Sequence, residues 1–172
     1  SGRPSPTTLA DAMAEIGASV AAGLEGGPCQ VGLESTVVSV TDRGVALLRP
    51  GGVTREALEA VVGPLVEIQD DAIRSPGRLT LHYAPQAPVR LNAEAPRMGE
   101  AYLGFGPATA DAPGTWNLSP TADLREAAAR LFAYLRAADR TTPTGIAIAP
   151  IPEQGLGEAI NDRLKRAAGY VG

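Results

Sequence analysis

The sequence predicts an α/β fold in two parts joined by a linker, and three observations carry that expectation. Strand-like and helix-like runs alternate along most of the chain, the signature of α/β layers. Of the 172 residues 44% are hydrophobic but only 4% are aromatic, so any core is built from small and branched aliphatic side chains. From Gln69 to Pro88 no period survives, and Pro76, Gly77, Pro85 and Pro88 punctuate the stretch; loops of that length are uncommon inside compact domains. The expected division is residues 1–70, a linker over 71–88, and a second α/β unit over 89–172.

Taken in order, Ser5 followed by Pro6 reads as an N-cap with proline at the first helical position. Leu9, Met13, Ile16 and Val20 then recur at helical spacing, predicting a helix from Pro6 to Gly17 or a little beyond. After the break at Gly26-Gly27-Pro28, the β-branched run from Gln30 to Val40 reads as a strand. Thr41-Asp42-Arg43-Gly44 turns into a second strand, Val45 to Leu48, which Arg49-Pro50-Gly51-Gly52 ends. Thr54 caps a short helix carrying Leu58, Val61 and Val62, and Leu65 to Ile68 reads as a further strand. Beyond the linker, Val89 to Asn92 and Ala101 to Phe105 look like strands, and Ser119-Pro120 repeats the cap-plus-proline signal before Leu124, Leu131 and Leu135. Gly145 to Ala149 reads as a buried strand and Leu156 to Ala168 as an amphipathic helix, so the second unit is expected to be a small Rossmann-like parallel α/β domain.

Charge and composition exclude several functions. A formal net charge of −4 and a pI near 5.0 argue against affinity built on many phosphate contacts, so tight duplex or tRNA binding is not expected. The lone Cys29 cannot form an intrachain disulfide, and with His82 the only histidine, a histidine or thiolate zinc cluster is excluded. No apolar run approaches the roughly 20 residues that span a bilayer. No targeting signal opens the chain, so a cytoplasmic location without membrane contact is the simplest expectation. Ser1-Gly2-Arg3-Pro4 is not an initiator sequence, and the chain reads as a piece of something longer.

Several motifs bear on chemistry, each with a bland alternative. SGRPSPTT places hydroxyls at a helix start, where free N–H groups favour an anion, or Ser5 is only a cap. In GLESTVV, read as a strand, Ser35 and Thr36 point to opposite faces, so at most one hydroxyl faces a pocket while the other faces core or solvent, with a polar strand edge as the alternative. Glu34 suits an acid, a magnesium ligand or an ion-pair partner. In LLRPGG, Arg49 ends a strand where α/β ligands bind, and a guanidinium there suits phosphate or carboxylate, with an ordinary surface arginine as the alternative. His82 and Tyr83 in the linker suit stacking on or hydrogen bonding to a base, with a plain structural histidine as the alternative. Gly155 and Gly157 precede a helix without the full dinucleotide-binding spacing, and Glu158, Asp162 and Arg166, one turn apart, read as a solvated face with ion pairs.

In combination, SPTT (Ser5 to Thr8), GLESTVV (Gly32 to Val38), LLRPGG (Leu47 to Gly52) and SPGRLTLHYAP (Ser75 to Pro85) resemble, in order and spacing, the C-terminal part of a threonylcarbamoyl-AMP synthase. LGFG (Leu103 to Gly106), NLS (Asn117 to Ser119) and PIPEQGLGEAINDRLKRAA extend the resemblance across essentially the whole chain. Ser39 departs from the family's usual Asp after ESTVV, and Arg78 from its usual Met after SPG.

The resemblance implies that residues 1–70 are the C-terminal portion of a YrdC-type α/β synthase domain, with the linker lying over the active site. It implies ATP contacts from Thr7, Arg49 and Tyr83, with His82 added by adjacency, and L-threonine contact from Ser35. The implied substrates are ATP, L-threonine and bicarbonate, with Mg2+ accompanying ATP and no covalent nucleophile. The product, threonylcarbamoyl-AMP, would pass to tRNA-modifying transferase proteins that form N6-threonylcarbamoyladenosine. Double-stranded RNA binding also belongs to the implied profile, and the acidic balance makes such contact weak or indirect. The family's Lys- and Arg-bearing N-terminal motifs are not in this sequence, so the isolated chain is expected to be inactive or nearly so. The reading from another class is a non-catalytic nucleotide-binding or regulatory interaction module.

Overall fold

The computed structural model describes residues 2–67 and 82–169. The first stretch holds α1 (Leu9–Ile16), a hairpin of β1 (Val37–Thr41) and β2 (Gly44–Arg49), and α2 (Arg55–Val62). The second holds β3 (Val89–Arg90), β4 (Glu100–Gly104), β5 (Thr115–Asn117), α3 (Leu124–Arg140), β6 (Gly145–Ile148) and α4 (Leu156–Ala167). Arg78 and most of the expected linker, residues 71–81, lie outside the described residues.

The four later strands form one parallel sheet in the order β3-β6-β4-β5. Alternation along the strands sends Ala101 and Leu103 of β4, with Ile146 and Ile148 of β6, into one cluster with Leu131, Phe132 and Leu135 of α3 and Ile160 and Leu164 of α4. Tyr102 and Ala147 face the other way and meet Ala93 and Ala149. The core is aliphatic and alanine-rich, as the composition requires. The strand-helix alternation is looser than the expected Rossmann-like repeat. Among the described connections, β5 to β6 passes through a helix, whereas β3 to β4 and β4 to β5 are loops.

Both serine-proline signals misplace their caps. Thr8, not Ser5, caps α1 by accepting from Asp11 N–H at 3.2 Å. Asp123, not Ser119, caps α3 by accepting from Arg125 and Glu126 N–H. In each case the serine hydroxyl instead donates to a carboxylate, Ser5 to Glu34 and Ser119 to Glu126, both at 2.5 Å. Thr54 caps α2 as expected, accepting from Ala57 N–H.

The strand expected from Gln30 begins only at Val37. Its first half is held as a loop because Thr36 Oγ1 donates to Val53 O at 2.6 Å and accepts from Val53 N–H at 3.0 Å, diverting the backbone from a ladder. Ser35 and Thr36 therefore do not alternate across a strand. Residues 65–67 are not a strand either, although Val66 N–H reaches Val45 O; Ile68 lies outside the described residues. The three-residue β5 was not anticipated.

Two glycines explain the path of the 32–36 loop. Gly32 has φ +71°, and a Cβ there would lie 2.4 Å from Ala128 O on α3. A Cβ on Gly51 would lie 2.4 Å from both Glu34 O and Thr36 N. The loop is thus pressed between α3 and the turn after β2, with no room for a side chain at either contact.

Candidate functional site

The site is built where that loop meets the end of β2. Arg49, the last residue of β2, is largely buried, and its Nε and Nη2 both donate to Ser35 O, at 3.2 and 2.9 Å. Nη2 also stands 3.4 Å from Ser35 Oγ, so a guanidinium and a hydroxyl share one small volume. Arg49 does sit at a strand's carboxyl end, but its neighbour there is the antiparallel β1.

Glu34 anchors the same loop. Its Oε1 accepts from Ser5 Oγ at 2.5 Å and its Oε2 from Arg163 Nε at 2.7 Å. Burial pushes the Glu34 carboxyl up, but the bonds from Ser5 and Arg163 outweigh it and hold the group below its ordinary value. Glu34 is therefore an ionised ion-pair partner, the third of the roles open to it from sequence.

Arg163 of α4 is fully buried, at 0% exposure. Its Nη1 donates to Asp162 Oδ2 at 2.5 Å and its Nη2 to Pro50 O at 3.1 Å, so all three guanidinium nitrogens are engaged. The guanidinium also lies over the Tyr83 ring, 5.2 Å from its centroid.

Tyr83 is buried and adopts φ 60°, a left-handed conformation that costs a bulky residue of order 1–3 kcal/mol. Its ring packs on Phe132 at 5.5 Å between centroids and meets the His82 ring edge-on at 4.0 Å. Burial raises the Tyr83 phenol, against the lowering influence of the Arg163 and Arg49 guanidiniums, so it stays neutral near pH 7. Burial lowers the His82 imidazole, and its Nδ1 is buried with no partner among the described residues. The segment is tied down by His82 N–H to Arg166 O and Ala84 N–H to Gly2 O.

Ser35, Arg49, Tyr83 and His82 are thus gathered around the Glu34–Arg163 pair. Thr7 is buried on the segment before α1, which Ser5 ties to Glu34 two residues earlier and Arg136 of α3 ties through Pro4 O. The Glu158 face is only partly solvated: Glu158 takes two bonds from Arg55, and Gly155 N–H donates to Glu56. Sequence reasoning missed Arg163. The signal was present, since Ala159, Ile160, Arg163, Leu164 and Ala167 form one buried stripe of α4 with an arginine on it.

Among the described residues, no group of three or more His, Cys, Asp or Glu could hold a metal ion. Glu34 is committed to Ser5 and Arg163. These residues do not form a magnesium cage.

A family model described as "Threonylcarbamoyl-AMP synthase, C-terminal domain" matches residues 53–169, and one described as "Telomere recombination" matches residues 1–51. The chain is 34% identical over 190 residues to a threonylcarbamoyl-AMP synthase of Bacillus subtilis (strain 168), covering 98% of this chain and 55% of that protein. It is 33% identical over 192 residues to the Pyrococcus abyssi (strain GE5 / Orsay) enzyme of the same name, covering 99% and 56%. The crystal structure of P. abyssi Sua5 complexed with L-threonine superposes with a TM-score of 0.81 at 32% identity, over 99% of this chain and 56% of that one. A doubly alanine-substituted P. abyssi Sua5 gives 0.80 at 31%. The chain spans a little over half the length of the relatives it matches.

Proposed function

Because this chain belongs to the threonylcarbamoyl-AMP synthase family, we propose that the full-length protein makes threonylcarbamoyl-AMP and pyrophosphate from ATP, L-threonine and bicarbonate, and that this chain supplies one wall of the site. The observation that carries the reading is the Arg49–Ser35 pair, a buried cation and a hydroxyl 3.4 Å apart beside the neutral Tyr83 phenol. Such a volume suits an anionic ligand that also offers a hydrogen-bonding group, as threonine and a nucleotide phosphate both do.

In this reading the amine of threonine forms an N–C bond to bicarbonate, whose C–O bond breaks with loss of water to leave a carbamate, and an oxygen of that carbamate attacks the α-phosphorus of ATP. A P–O bond forms to the carbamate and the bond to the departing pyrophosphate breaks. Gathering several anions is an electrostatic and positional task. Ser35 orients threonine; Arg49 offsets negative charge; Tyr83 and His82 border the nucleotide and keep water from the mixed anhydride. Thr7 stands on the ATP side. Any Mg2+ would arrive with the phosphates of ATP, where it would supply charge neutralisation.

In this reading the product is an activated acyl donor for tRNA-modifying transferases, and the protein works in the cytoplasm. No helix among the described residues is long and apolar enough to cross a membrane. RNA contact is weak or indirect, and the isolated chain is inactive or nearly so.

The test is pyrophosphate release by the full-length protein. Release that needs both L-threonine and bicarbonate is expected, and Ser35→Ala should raise the threonine requirement by about tenfold, the loss of one hydrogen bond to a charged ligand. Release indifferent to threonine and bicarbonate would sink the reading.

A further inference from the structure

Helix α4 reaches both of the loops that carry Ser35 and Arg49 through the side chain of Arg163. We propose that Arg163 is a positioning residue for this site: it fixes the spacing of the Ser35 and Arg49 loops, and through that spacing sets the affinity for L-threonine. The claim rests on the reading of Ser35 as a threonine contact.

The geometry is specific. Through Nε, Arg163 holds Glu34, the residue before Ser35; through Nη2, it holds Pro50, the residue after Arg49. Ser35 and Arg49 bond each other across the same gap. The third nitrogen fixes the guanidinium plane by donating to Asp162, which is itself held by Arg166 one turn on. Fully buried and with every nitrogen engaged, Arg163 does not meet a ligand itself. It acts through its neighbours.

An arginine is needed because only a planar fork can reach a carboxylate on one loop and a carbonyl on the other at fixed separation. A lysine ammonium is a single point on a flexible stem and satisfies one of the two. The Tyr83 ring under the guanidinium adds a third element to the same joint. The 32–36 loop and the β2 end therefore depend on an arginine that lies 129 residues after Glu34 and 113 after Pro50 in sequence.

The experiment compares the full-length wild type with Arg163→Lys, Glu34→Gln and the double variant. Three quantities are read: the L-threonine Kd by calorimetry, the hydrogen exchange of Gly52 N–H, which bonds Glu34 O at 3.3 Å, and the fold by circular dichroism. Each single variant is expected to stay folded, weaken threonine binding by about tenfold, a typical coupling within a packed network, and speed Gly52 exchange. The double variant should bind no more weakly than the worse single, because both act through one contact.

A folded Arg163→Lys protein with wild-type threonine affinity and wild-type Gly52 exchange would overturn the proposal, as would losses that simply add. Should Arg163→Lys fail to fold, Glu34→Gln, which preserves side-chain shape, is decided on the same two readouts. A wild type that binds no threonine overturns the functional reading instead, and Gly52 exchange in the variants still decides whether Arg163 sets the loops.

Discussion

A carboxylate taken out of water is stable as an anion only when its partners outweigh the lost hydration, and two glutamates show different balances. Glu34 is lowered against the opposing pull of burial. Glu100 takes two bonds from Arg90, at 3.0 and 2.6 Å, and one from Arg97 N–H, and the Arg90 bond leads in bringing its pKa down to about 2. A folded pKa below the unfolded one means that the unfolded chain binds more protons as pH falls. The contribution of Glu100 is therefore complete above pH 4.5 and fades as pH drops toward 2. Urea titrations should find that the stability difference between wild type and Glu100→Gln is constant above pH 5 and shrinks steadily below about 4.5. A difference that grew on acidification would contradict the assignment. None of this is readable from sequence, where Glu100 is one charge among 19 acidic residues. Whether a charge is committed depends on what the fold brings beside it.

Elements with local signals were legible, and those defined by distant partners were not. The β1–β2 hairpin, the Thr54 cap, β6 and α4 all announce themselves within a few residues, through a turn, a hydroxyl, an apolar run or a 3.6-residue stripe. The two serine-proline starts misled because the first hydroxyl of each stretch was drawn to a carboxylate, and a later side chain, Thr8 or Asp123, took the helix end. β5, only three residues long, exists through its pairing with β4 and carries almost no pattern of its own. At this scale the cap assignment is testable. Asp123→Ala should destabilise the parallel-sheet unit by about 1 kcal/mol, since two N–H groups lose their acceptor, whereas Pro120→Ala should have little effect. Denaturant midpoints measure both, and the reverse order would restore Ser119-Pro120 as the helix start.

For the whole molecule, the core is lopsided. Of the buried hydrophobic side chains other than proline, Ala46 alone precedes residue 82 among the described residues, and neither α1 nor α2 buries a residue. The first stretch is held by polar ties to the second: Glu34 to Arg163, Arg55 to Glu158, and Pro4 and Glu15 to Arg136. Residues 1–67 made alone should thus lack a cooperative unfolding transition, whereas residues 82–172 should retain one, as calorimetry of the two pieces would reveal. Equal cooperativity in both would contradict this picture. SPTT, GLESTVV and LLRPGG, which carry much of the family resemblance, lie in the first stretch beside these ties, whereas Arg163 showed in the sequence only as an arginine on the buried stripe of α4, a signal easily passed over. The 129-residue separation of Glu34 and Arg163 also sets an order of events during synthesis. So distant a contact closes late, after the loop between its ends has lost its freedom. On the ribosome, the Ser35 loop emerges well before α4, and at about 5–20 residues per second it waits several seconds for its anchor. A nascent chain therefore completes this wall of its site only once α4 has emerged.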